Sequence, residues 1–65
     1  STFEIYGSLA CVTDLCTLTS NGVQLDADLS TATWEHRQVE NGFVEAKGYL
    51  VTPTSFRVIK IEPKY

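Results

Sequence analysis

The chain has no methionine, one tryptophan, one histidine, two prolines and four glycines among its 65 residues. No apolar run approaches the roughly 18 residues that a membrane-crossing helix needs, and no signal peptide opens it. Basic residues are few. Arg37, Lys47, Arg57, Lys60 and Lys64 are scattered among eight acids, for a formal net charge of −3. Phosphate backbones demand clustered Lys and Arg, so nucleic acid is a poor fit as the main partner. A chain without Met that begins at Ser1 is expected to be a processed product or a piece of a longer protein, a history in which a targeting segment can be removed.

What is present is ordinary globular material. The apolar fraction of 43% is too high for a disordered chain. The length suits a single domain over residues 1–65. Such a chain buries only about 60% of the surface it exposes when unfolded, so its core is thin and a covalent staple is useful.

Cys11 and Cys16 can supply that staple. They flank Val12-Thr13-Asp14-Leu15, a length suited to a hairpin loop between strand-like segments. Two cysteines facing each other across such a hairpin meet the separation a disulfide requires. Closing so short a loop restricts the unfolded chain by about 2 kcal/mol. Two buried free thiols are the alternative. Zinc would need a fourth ligand beyond these two and His36, and a thioredoxin-type motif has two residues between its cysteines. A disulfide in turn implies an oxidising compartment.

The rest of the sequence alternates with period two. Phe3, Ile5, Gly7, Leu9 and Cys11 fall on one face, and Glu4, Tyr6 and Ser8 on the other. Leu15 to Thr19 reads as a second strand. Asn21-Gly22 tolerates positive φ at both central positions of a type I′ turn. It leads into a third strand with Val23, Leu25, Ala27 and Leu29 inward. Ser30 to Val39 is irregular: a loop, or a short helical turn capped by Ser30, Thr31 or Thr33, carrying a mostly buried Trp34.

Asn41-Gly42 is read as a turn into a fourth strand, Phe43 to Val51, with Val44, Ala46, Gly48 and Leu50 inward. A fifth strand, Phe56 to Glu62, changes parity between Val58 and Ile59, which a β-bulge there or burial on both faces would reconcile. The expectation is an all-β fold: a small five-stranded, partly open OB-like barrel closed around Phe3, Ile5, Leu25, Val44 and Leu50. An SH3-like barrel is the runner-up.

Phe3 to Leu9, Asn21 to Ala27, Asn41 to Leu50 and Val58 to Glu62 together resemble a family of small bacterial domains of unknown function. These occur in extracytoplasmic proteins and lipoproteins, often in tandem. The run Gly42-Phe-Val-Glu-Ala-Lys-Gly48 is similar to that family's strand of Gly, two residues, then Glu-apolar-x-Gly, followed by a final strand ending Ile-Glu. The resemblance implies an OB-like barrel and an extracytoplasmic setting, periplasmic, outer-membrane-anchored or secreted. It carries no catalytic residues, and the cysteine pair departs from its pattern.

Constellations that could carry chemistry are sparse. His36 has only Ser30, Thr31 and Thr33 nearby as nucleophiles, all better read as turn residues. Asp26, Asp28 and Ser30 alternate on one face but lack the Gly and Glu of a calcium loop. Glu4, Glu40, Glu45 and Glu62 show no pattern marking an acid–base pair.

Tyr6, Phe43 and Tyr49 share the outer parity of the first and fourth strands. Together they would make a patch for stacking a sugar or a partner side chain, unless a loop covers them. The expected role is therefore a non-catalytic binding, spacer or interaction module of an exported bacterial protein, with no cofactor or metal. Its partner would be another domain, another protein or a glycan. The alternatives are a ligand-binding OB domain through those aromatics, for an oligosaccharide ahead of single-stranded nucleic acid, and, last, a small enzyme.

Overall fold

The computed structural model describes residues 1–65. The alternating stretches fold as β1 (Phe3–Val12), β2 (Leu15–Ser20), β3 (Val23–Asp28), β4 (Thr33–Trp34), β5 (Asn41–Thr52) and β6 (Ser55–Pro63), without any helix. β1, β2 and β3 form an antiparallel meander, β1 also pairs with β5, and β5 pairs with β6. A short parallel ladder between β3 and β6, Asp26 to Asp28 against Ser55 to Arg57, closes a ring of five strands. β4 lies farther along β6, with Thr33 and Trp34 beside Lys60 and Ile61.

The two turns of the meander differ from each other. Asn21 and Gly22 have φ of +52° and +78°, the pair of positive values a type I′ turn demands. The first turn is tighter than a four-residue loop. Val12 and Leu15 pair across the hairpin, leaving only Thr13-Asp14 at its tip. Cys11 therefore faces Cys16 directly, and the two are joined in a disulfide with Cα atoms 4.0 Å apart. The Cys11 N–H donates to the Glu40 carbonyl on the opposite side. The cysteines thus form a non-hydrogen-bonded pair, the closer of the two antiparallel spacings.

Leu9, Leu18, Ala27, Val44, Ala46, Phe56, Val58 and Ile61 are the buried core. The parity change in the last strand is resolved by the expected bulge. Lys47 pairs with Lys60 and Gly48 with Val58, so Ile59 is skipped and left exposed while Phe56, Val58 and Ile61 all point inward. A second irregularity skips Val51, between the Leu50–Phe56 and Thr52–Ser55 pairs. The backbones pack closely at Gly7 and Gly48. A Cβ there would collide with the carbonyl oxygens of Thr19 and Arg57 respectively.

Two expectations need correction and one open alternative is decided. Asn41-Gly42 is not a turn, because both residues already pair with Ala10 and Leu9 of β1; Gly42 holds φ +122° within the strand. Of the two readings of Ser30 to Val39 the loop holds, interrupted only by β4, and no helical turn forms. The Ser30 N–H and hydroxyl both donate to Asp28 Oδ1, at 2.9 and 2.6 Å, folding the chain into an Asx-type bend. Of the five side chains expected to centre the core, Val44 is fully buried and Ile5 and Leu25 partly so. Phe3 and Leu50 sit at the rims, 44% and 45% exposed. Phe3 leans on Phe56, ring centroids 5.5 Å apart, rather than entering the ring.

Candidate functional site

The three aromatics expected to form a patch are not one cluster. Tyr6 lies opposite Glu45 and Phe43 opposite Ser8, which makes Tyr6 and Phe43 diagonal neighbours on the outer face. Tyr49 is four residues beyond Glu45, about 13 Å along the strand, with the Glu4–Lys47 pair between. Its hydroxyl instead accepts from Arg57 Nη1 at 3.4 Å.

That outer face is occupied by ion pairs. Lys64 Nζ bridges Glu45 and Glu62 at 3.1 and 3.2 Å, His36 Nδ1 lies 2.9 Å from Glu62, and Lys60 Nζ is 3.3 Å from Glu35. The Lys64 ammonium holds the Glu45 carboxyl below its usual range, and the two carboxylates push the Lys64 pKa up. The Glu45 carboxylate, paired across from Tyr6, raises the pKa of its phenol. Register has thus brought together Glu45, Glu62 and His36, which the sequence does not mark as neighbours. The lowered pKa keeps Glu45 ionised at neutral pH, the reverse of what a general acid requires.

The opposite end of the molecule is different in kind. A groove of about 580 Å³ runs between the Thr13-Asp14 and Pro53-Thr54 turns. Asp14, Leu15, Cys16 and Thr17 line one side, Asp26 to Asp28 the floor, and Val51, Ser55, Phe56 and Arg57 the other side. A second groove of about 520 Å³ opens at the mouth of the ring, lined by the disulfide, Leu29, Trp34 and Val39. Trp34 is only half-buried, because its pairing with Ile61 holds it at this mouth instead of inside. The two grooves share Asp14, Cys16, Ala27 and Asp28 and are therefore neighbours.

Large apolar side chains face water around these grooves. Leu15 is 78% exposed, Val12 beside it 75%, and Val51, extruded by its bulge, 51%. Asp28 accepts from Ser30 and, at 3.2 Å, from Arg57 Nε. These bonds, Ser30 first, hold its carboxyl below the ordinary value. The run Asp26, Asp28, Ser30 is thus a bend with an ion pair. No group of three or more His, Cys, Asp or Glu side chains gathers to hold a metal ion.

The chain matches no family model, no curated protein and no solved structure.

Leu15, Val51, Asp14 and Asp26 do not read as surface partners in the sequence, because the parallel β3–β6 ladder that assembles them joins distant segments. The legible signal was apolar residues in outward positions: Val12 and Leu15 beside a turn, and Val51 directly after inward Leu50.

Proposed function

We propose that this chain is a non-catalytic interaction module with an OB-like fold, belonging to an exported bacterial protein. The observation that carries this is the groove of about 580 Å³ between two turns, rimmed by exposed Leu15 and Val51. Apolar side chains held in water around a concavity mark a docking surface rather than a packing requirement.

The ring order β1-β2-β3-β6-β5, with its parallel β3–β6 closure, supports the OB-like reading over an SH3-like one. OB domains bind across their second and third strands, between the loops joining strands one to two and four to five. The larger groove, lined by β2 and β3 between the Thr13-Asp14 and Pro53-Thr54 turns, supports this reading. The Cys11–Cys16 disulfide is compatible with an extracytoplasmic location and supports the export setting together with the family resemblance.

Titration of ¹⁵N-labelled protein with indole, a neutral apolar probe, tests where docking occurs. Amide shifts at Leu15, Thr17, Asp26 and Phe56 are the expected result. Shifts confined to Tyr6 and Phe43, or none at millimolar indole, would overturn it. A parallel titration with oligosaccharides addresses the second reading, which the diagonal Tyr6–Phe43 pair favours. Shifts there with a glycan would move the site to that face.

A further inference from the structure

The formal charge of −3 has a location. The grooves at the disulfide end hold Asp14, Asp26, Asp28 and Glu40 against the single base Arg57. The remainder of the chain has four acids, Glu4, Glu35, Glu45 and Glu62, and four bases, Arg37, Lys47, Lys60 and Lys64. The whole excess therefore sits at one end. Arg57 is committed to Asp28 and Tyr49, while Asp14, Asp26 and Glu40 have no basic partner. These free carboxylates line the same groove as exposed Leu15 and Val51 or the neighbouring one.

Resting on the interaction reading above, we infer that the grooves take an extended polypeptide segment with an apolar anchor between Lys or Arg residues. Exposed Leu15 and Val51 form the apolar seat over the buried Phe56, and Asp14, Asp26 and Glu40 meet the flanking cations. A field of one sign around an apolar seat steers the oppositely charged partner and rejects like-charged ones. A second copy of this chain does not fit that description. Its matching end is acidic, and elsewhere its charges are balanced and interleaved in ion pairs. The molecule is about 22 Å across, a width that about six extended residues span at roughly 3.3 Å each.

The test compares two six-residue peptides sharing a Thr-Leu-Val-Thr centre, one flanked by Lys and the other by Glu, with both termini blocked. Binding is followed by amide shifts. The Lys-flanked peptide is expected to shift the groove residues and to bind at least about tenfold more tightly than the Glu-flanked one at low salt. That preference should fade as salt rises from about 0.01 M to 1 M, where the Debye length shrinks from about 30 Å to 3 Å.

Asp14→Asn with Asp26→Asn, exposed and isosteric changes, should weaken the Lys-flanked peptide several-fold. Glu4→Gln on the far face should not. Equal binding of the two peptides, or no loss in the Asp14/Asp26 variant, would overturn the inference. If indole still seats in the groove in that case, the interaction reading survives and only the charge preference fails. If indole does not seat either, both fall.

Discussion

The two hairpins that share β2 are built on opposite principles. At one tip Asn21-Gly22 supplies both positive φ values through its own chemistry, and no covalent link is needed. At the other, Thr13 is held at φ +55°, a region that disfavours a β-branched residue. That tip is stapled one pair back, by Cys11–Cys16. The contrast teaches what the staple is for. A turn closed covalently no longer depends on its flanking residues, so Val12 and Leu15 are free to be apolar and exposed beside the grooves. The Asn-Gly turn carries no comparable groove.

The largest test of this contrast removes the staple. Cys11→Ala with Cys16→Ala should lower unfolding free energy by about 2 kcal/mol, the loop-closure contribution of so short a ring, in urea melts. If stability is unchanged, the turn stands without help and the comparison collapses. Next comes Gly22→Ala, which forces a Cβ into the left-handed region at φ +78° and should cost about 1 kcal/mol. Combining it with the cysteine changes should give an additive loss. The tips lie at opposite ends of β2, about 16 Å apart, beyond the range of direct coupling.

Thr13→Gly works in the other direction. Relief of the positive φ should stabilise the oxidised protein by about 0.5 kcal/mol, a smaller change than either loss. A destabilisation would show that the tip is not strained.

The smallest effect is a pH response. The folded pKa of Asp28 lies below its unfolded value. Its contribution is present above the ordinary carboxylate range and disappears as pH falls through the folded pKa. Melting temperatures followed from pH 7 to pH 2 should therefore fall less steeply for Asp28→Asn than for the parent chain. The Glu45 share remains in both, because that carboxyl is also held low.

Much of the ring was legible because it rests on local rules. Alternation placed Leu9, Ala27, Val44 and Ala46 inward, the Asn21-Gly22 signal defined one turn, and the parity change foretold the bulge at Ile59. The misreadings occur where a distant segment competes with a local signal. Asn41-Gly42 has the same letters as the real turn, yet Ala10 and Leu9 capture it as strand. Ser30 carries a cap residue's chemistry and spends it on Asp28.

Tyr49 shares a parity with Tyr6, but parity says nothing about distance along a strand, and register puts Glu4–Lys47 between them. The grooves were illegible for the same reason: Asp26 meets Ser55 only through the parallel closure.

Val12 and Leu15 serve a surface and not the fold, and one double variant asks this directly. Val12→Thr with Leu15→Thr keeps β propensity while removing Leu15 from the groove lining together with its exposed cross-strand neighbour. The expected result is a stability within about 0.5 kcal/mol of the parent, as for exposed positions generally, together with loss of indole shifts in the groove. A loss of several kcal/mol, or undiminished indole binding at near-parental stability, would contradict it.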